Sequence, residues 1–271
     1  MPAASASDAV SIFQALARIE KSGESGALCT VIASQGSTPR HVGSKMLVFP
    51  DGTFLGSVGG GDLEHRVLDE AWLAMSEGIP RTISYSLVDP ARGDPGVCGG
   101  TVEVFVEPIL PPDHVVVIGG GHVGRAVVHL AKWLGFRVSV SDDRQEYCNS
   151  DAVPGADAYL PMPMAQLSTS MKIDRRTYIV LTTRGSNVDV DGLAPLLESP
   201  AGYVGIIGSK RRWATTLKGL RGQGISEDKI ARVHSPMGLE LHAETPEEIA
   251  VSIMAEILLL RNSGTGRPMR E

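Results

Sequence analysis

The chain has 271 residues, 42% of them hydrophobic and 21% charged, with a formal net charge of −6. That length supports one large or two modest domains with proper cores, and the composition is that of an ordinary soluble globular protein. No long basic run points to nucleic acid, no apolar stretch approaches bilayer length, and three widely spaced cysteines make neither a disulfide framework nor a zinc cluster.

The opening MPAASASDAV lacks the basic-then-apolar pattern of a secretory signal, so a cytoplasmic location is expected. Ser7 and Asp8 can cap a first helix with Val10, Phe13, Leu16 and Ala17 on its apolar face, ending near Gly23. A strand with a β-branched centre is expected over 27–33, then a polar turn. Strands at 45–49 and 53–58 flank Pro50-Asp51-Gly52, where proline fixes one φ and glycine supplies the positive one, so these predict a hairpin.

Gly59, Gly60 and Gly61 then link strand to helix. The helix runs to about Glu77, with Leu63, Val67, Leu68, Ala71, Trp72 and Met75 on one face. Backbone N–H groups in such a link can cradle a phosphate or oxyanion, or the triplet is a plain turn needing positive φ. Arg40 and Lys45 either add positive charge there or face solvent. Half-buried strands at 81–87 and 101–107 enclose a loop rich in glycine, proline and aspartate that ends at Cys98-Gly99-Gly100. Cys29 falls mid-strand and reads as core, Cys148 as a surface loop residue. Cys98, flanked by glycines, is the accessible candidate: it ligates a soft metal, carries sulfur, or is an inert turn cysteine.

Three prolines in 107–113 mark a linker, which divides the chain into an α+β domain over 1–110 and a second domain over 111–262, with a disordered tail at 263–271. The second domain opens on HVVVIGGGHVG. Val115 to Ile118 read as a strand buried on both faces, and Gly119, Gly121 and Gly124 take the G-x-G-x-x-G spacing that lets a pyrophosphate approach a helix start, with His122 inside the loop. A second strand over 136–141 ends at Asp142, 23 residues after Gly119, which is either a ribose-binding acid or an ordinary strand-end acid. Strand, turn, helix, strand and acid in that order predict a Rossmann-like parallel sheet, hence an α/β chain with a smaller α+β domain before it.

Further strands are expected at 156–160, 176–183, 203–207 and 232–234. The loops after them bring Arg184–Asp189, Gly208–Arg212 and the stretch from Ser235 to Leu239 to one crevice outside the carboxyl ends of the strands. Lys210, Arg211 and Arg212 open a helix, where the macrodipole disfavours cations, so an anion between them or simple solvation accounts for them. Thr245, Pro246 and Glu248 predict a capped final helix with Ile249, Ile253, Ile257 and Leu260 along its stripe.

In this order, Gly36-Ser37-Thr38-Pro39-Arg40, Gly56–Glu64, Cys98-Gly99-Gly100, Val115–Gly124, Asp142-Asp143-Arg144, Thr183-Arg184 with Asp189, Tyr203–Arg212 and Ser235-Pro236 with Gly238-Leu239 resemble the xanthine dehydrogenase accessory (XdhC/CoxI-type) family. The resemblance implies a chaperone that binds molybdenum cofactor, as molybdopterin or its dinucleotide form. It would hold the cofactor while a cysteine desulfurase supplies sulfur, then deliver it to a xanthine dehydrogenase-type enzyme; a homodimer is a form that such a delivery protein could take. Its site would draw on Gly59, Gly60, Gly61, Gly119, Gly121, His122, Gly124, Asp142, Arg184, Lys210 and Arg211, with Cys98 beside the metal. Many relatives carry cysteine at the position of Asp62, histidine at Ser186 and glycine at His242. Two other readings of the same residues are an NAD(P)-dependent oxidoreductase and a sulfurtransferase using Cys98.

Overall fold

The structure, a computed structural model, describes residues 6–86 and 100–270, with side-chain surroundings from residue 11 onward. The chain divides into two compact units, Met1–Pro111 and Pro112–Glu271.

The first unit contains α1 (Ala6–Ser22), β1 (Gly26–Gln35), β2 (Lys45–Val48), β3 (Phe54–Gly56), α2 (Gly61–Glu77), β4 (Arg81–Ser86) and β5 (Thr101–Ile109). The strands form one antiparallel sheet in the order β3-β2-β1-β5-β4. Period-two alternation sends Ala27, Cys29, Val31, Val102, Val104 and Val106 to one face, where Leu63, Val67, Ala71 and Ala74 of α2 cover them. Helix α1 packs on the other side through Ile12 and Ile19 against Leu47.

In this unit two helix faces differ from the sequence expectation. On α1 it is Ile12 and Ile19 that are buried, while Phe13 is 57% exposed and Ala17 is exposed. The buried pair is seven residues apart, two helical turns, and Phe13 lies one position off that line. On α2, Trp72 is 51% exposed and Ala74 takes the buried place. Size makes both aromatic residues conspicuous in the sequence, but helical phase decides which positions are buried.

The second unit runs β6 (His114–Ile118), α3 (His122–Trp133), β7 (Arg137–Ser141), β8 (Ala158–Leu160), α4 (Leu167–Ser170), β9 (Thr177–Leu181), α5 (Ser186–Leu197), β10 (Tyr203–Ile206), α6 (Lys210–Gly222), α7 (Glu227–Ile230), β11 (Val233–His234) and α8 (Pro246–Arg261). The parallel sheet has the order β11-β10-β9-β6-β7-β8. Relabelled from the first strand of the unit this is 3-2-1-4-5-6 read from the β8 edge, the doubly wound order, with its switch point between β6 and β9. The continuous apolar run of β6 is explained by its two covered faces. Val115 and Val117 pack into the core under α3 and α8, and Val116 and Ile118 into the core under α5 and α6.

The final helix carries the expected capping box, in which the Thr245 side chain accepts from Glu248 N–H and the Glu248 carboxylate accepts from Thr245 N–H. Its buried stripe is Ala250, Ile253, Met254 and Ile257, whereas Leu260 is 44% exposed. Cys148 is also a correction. It is buried, and its thiol donates to the Val140 carbonyl at 3.3 Å, because a 3-10 turn over Gln145–Tyr147 folds the chain back onto β7. No helix among the described residues is long and apolar enough to cross a membrane.

Candidate functional site

The glycine loop after β6 is built by close approach. A Cβ at Gly124 would meet the Gly119 carbonyl oxygen and, at 2.8 Å, the Thr182 hydroxyl, so only glycine lets α3 start so near the strand. Gly121 caps α3 with no side-chain hydrogen bond, and a Cβ there would meet nothing within 4 Å. The loop therefore faces open space at Gly121 and the first turn of a helix whose N–H groups point outward.

Beside it lies a cavity of about 260 Å³ at the switch point. Gly119, Asp142, Asp143, Arg144, Thr183, Arg184 and Asp191 give it polar walls, and Ile118, Met162, Met164 and Val188 give it an apolar floor. Of the sequence candidates, Gly119, Asp142 and Arg184 thus line one site, and Gly121 and Gly124 follow Gly119 in the same loop without lining the cavity.

Asp142 is buried and fully engaged. Its Oδ2 accepts from Gly120 N–H at 3.1 Å, its Oδ1 from Arg144 N–H at 3.0 Å, and the Arg144 guanidinium reaches both oxygens at 2.9 Å. Arg144 in turn stands 3.9 Å over the Tyr147 ring. Across the cavity mouth, Arg184 grips Asp143 with bonds of 2.6 and 2.9 Å, and this guanidinium holds the Asp143 carboxyl down at about 2. Behind Arg184, the fully buried Asp189 accepts from Arg212 at 2.8 Å and from the Thr183 hydroxyl, while Arg212 also donates to the Thr183 carbonyl at 2.9 Å. Arg212 therefore serves Asp189, and Lys210 and Arg211 are left exposed at the start of α6.

His122 is exposed and belongs to a separate hollow of about 410 Å³ between α3 and α8, shared with Arg125, His129, Pro246 and Glu247. In the first unit, Gly59, Gly60 and Gly61 have φ of 151°, 80° and 64°, so the glycine identity is conformational. A Cβ at Gly60 or Gly61 would meet nothing within 4 Å, and α2 begins there without a side-chain cap. Asp62, one residue on, bonds Arg66 at 2.9 Å and the Tyr85 hydroxyl at 3.1 Å. Lys45 donates to the Thr30 hydroxyl at 3.3 Å.

Cys98 lies outside the described residues. Cys29 and Cys148 are buried, and burial pushes the Cys29 thiol up to about 12 and raises Cys148 as well, so neither is a ready nucleophile. Among the described residues no group of three or more His, Cys, Asp or Glu side chains is placed to hold a metal ion.

Met162 and Met164 escape a reading of the sequence, because they sit in an irregular Pro-Met-Pro-Met stretch between β8 and α4; two apolar residues in a loop are the available signal. Glu256 of α8 escapes it too. This residue accepts from Tyr203 at 2.6 Å and from Gly238 N–H at 2.7 Å and contacts His234 Nδ1 at 3.0 Å. Burial alone would raise the Glu256 carboxyl, yet the bonds from His234, Tyr203 and Gly238 outweigh it and bring it below its usual range.

Comparison with known proteins agrees with this architecture. A model of the XdhC Rossmann domain matches residues 115–257, and one of the XdhC and CoxI family matches residues 19–86. The chain is similar to the uncharacterized protein YqeB of Escherichia coli K12, at 34% identity over 259 residues covering 95% of this chain and 47% of that protein. A probable xanthine dehydrogenase subunit of Bacillus subtilis 168 is 30% identical over 161 residues, 59% of this chain and 47% of that protein. The molybdenum cofactor insertion chaperone PaoD of Escherichia coli K12 is 24% identical over 270 residues, 89% of this chain and 85% of that protein. The chain thus spans about half the length of the first two relatives and most of the third. It shares its fold with a crystal structure from Bacillus halodurans described as a xanthine dehydrogenase, at 24% identity and a TM-score of 0.51, covering 95% of this chain and 96% of that one. With more than half of its length matched by these models, the chain belongs to the XdhC and CoxI family.

Proposed function

We propose that this chain is a molybdenum cofactor-binding chaperone that holds the cofactor and hands it to a xanthine dehydrogenase-type enzyme. The observation that carries the reading is the near full-length similarity to PaoD, named a molybdenum cofactor insertion chaperone. The residues present fit such a group in kind. The switch-point cavity has an apolar floor of Ile118, Met162, Met164 and Val188, which suits a flat heterocycle, and at its rim Arg144 and Arg184, each paired with an aspartate. Within the first unit, the open turn at Gly60 and Gly61 is by itself a separate candidate for an anion. When bound, the cofactor would supply the molybdenum centre of the recipient enzyme. This chain's own part is to bind, orient and shield it: Gly121 leaves room at the helix start, and Arg184 offers a guanidinium that it shares with Asp143.

On this reading Cys98 is the thiol that lies near the metal or passes sulfur, since Cys29 and Cys148 are buried with raised thiols. Sulfur supply by a cysteine desulfurase and action as a homodimer belong to the same proposal. A second reading, NAD(P) binding, is favoured by the 3-2-1-4-5-6 order and the glycine spacing. It asks Asp142 to bond a ribose, and Arg144 and Gly120 already occupy that carboxylate.

The test is anaerobic incubation with free molybdenum cofactor, re-isolation, and assay of molybdenum and pterin, with a parallel NADH titration. Near-stoichiometric molybdenum and pterin with weak NADH binding supports the chaperone. Tight NADH binding without retained molybdenum supports the second reading.

A further inference from the structure

Two arginine–aspartate pairs line the switch-point cavity, Arg144–Asp142 and Arg184–Asp143, and a third, Arg212–Asp189, stands behind Arg184; the first and the third are fixed. Asp142 and Asp189 have side chains 3% and 0% exposed, and each accepts further bonds, from Gly120 N–H and from the Thr183 hydroxyl. Separating either from its arginine would strand a buried charge. The Arg184–Asp143 pair is different. Arg184 and Asp143 are 47% and 39% exposed, and exposed pairs contribute little net stability. Yet their geometry is specific. Two parallel bonds of 2.6 and 2.9 Å join the loop after β7 to the loop after β9, across a cavity that both residues line.

A carboxylate held in this way shows a guanidinium the same pair of coplanar oxygens as a phosphate. Just past Arg184, the twelve-residue α5 begins at Ser186 with no side-chain cap at Gly185, where a Cβ would meet nothing within 4 Å. Its positive end therefore favours an anion at the same rim. We propose that Asp143 is an internal stand-in for a ligand phosphate, and that a phosphate-bearing ligand enters the crevice by replacing Asp143 on Arg184. The exchange breaks two Arg184–Asp143 hydrogen bonds and forms two Arg184–phosphate bonds, with Asp143 turning to water. Asp143 is fully ionised at neutral pH, its carboxyl being held at about 2 by Arg184, so the competitor always carries its charge. A dianionic phosphate outcompetes it where a monocarboxylate does not. This inference rests on the crevice being the ligand site.

The experiment is calorimetric titration of the full chain with inorganic pyrophosphate, in the wild type and in Asp143→Asn, Arg184→Gln, the double variant, and Asp191→Asn. Asp191 lines the same cavity, and its substitution removes the same charge. Asp143→Asn should tighten binding about five-fold, in line with the small net worth of an exposed pair plus relief of repulsion. Arg184→Gln should abolish it, the double variant should match Arg184→Gln alone, and Asp191→Asn should give a smaller gain. Equal gains from Asp143→Asn and Asp191→Asn, a gain that survives without Arg184, or no binding by any variant would overturn the exchange. Retained molybdenum with an unresponsive Asp143→Asn removes the exchange and leaves the chaperone reading. The expected pyrophosphate pattern without retained molybdenum does the reverse.

Discussion

The Asp142 carboxylate accepts the Gly120 backbone N–H at 3.1 Å and so fastens the end of β7 to the glycine loop that follows β6. With Arg144 bound to both oxygens, the acid is a buried brace of the crevice wall. Asp142→Ala should destabilise the protein by about 2–4 kcal/mol, since it leaves a buried donor and a partly buried guanidinium without their partner. Asp143→Asn, at the exposed pair, should cost less than about 1 kcal/mol. Urea unfolding of the two variants checks the contrast, and equal losses would refute the brace.

Two alanine substitutions in the glycine loop should behave oppositely. Gly124→Ala pushes a methyl into the Gly119 carbonyl and should cost about 3 kcal/mol or more, as overpacking against backbone does. Gly121→Ala meets open space at φ −71° and should leave stability within about 0.5 kcal/mol while weakening ligand binding. Thermal melts read the first difference and cofactor retention the second. A Gly121→Ala protein that unfolds easily would show the space is structural.

Stability should also fall with acid through His114. Its Nε2 lies 2.8 Å from the Ser139 hydroxyl, and burial, helped by the Arg137 charge, pushes the imidazole down to about 4. The unfolded chain takes up this proton near its ordinary value of about 6.5, so between there and about 4 the unfolded state binds more protons. The histidine's contribution is therefore complete above about pH 6.5 and is lost as the pH falls toward 4, by about 3 kcal/mol at most. Urea unfolding at pH 7 and pH 5 should show a shallower decline in His114→Gln than in the wild type. Parallel declines would mean that other groups carry the acid sensitivity.

His242 has φ 52°, in the left-handed region that favours glycine. His242→Gly should raise stability by up to about 1 kcal/mol, the relief of strain being partly offset by greater freedom in the unfolded chain. Differential scanning calorimetry would detect it, and a lowered melting temperature would mean that the imidazole makes a compensating contact.

Much of this fold is legible in the sequence because its signals are local. Val115 to Ile118 read as a doubly covered strand, Gly119 to Gly124 as a tight glycine turn from strand to helix, and Thr245 to Glu248 as a helix start, each from residues within one or two turns of each other. The phases of helices whose largest residues fall off the buried line are not: Phe13 and Trp72 attract attention by size, but Ile12 and Ala74 lie on the line that faces the sheet. Partner choice among charges is least legible. Arg212 reads as one of three anion-binding cations, yet its acid is Asp189, 23 positions away in the chain, and Arg184 finds Asp143 at a separation of 41. Such pairings depend on where parallel strands end, which only the assembled sheet decides. Cys148 follows the same rule, buried by a turn whose sequence, Gln145-Glu146-Tyr147, is polar enough to suggest a surface.

The central claim, that this chain holds molybdenum cofactor in the switch-point crevice, is tested most directly by molybdenum and pterin retention in the wild type and in Gly121→Asp. The variant places a carboxylate in the open space at the helix start, with circular dichroism to establish that it folds. Near-stoichiometric retention by the wild type and loss by the folded variant are expected. A wild type that retains neither molybdenum nor pterin, or a folded variant that retains both fully, would contradict the claim.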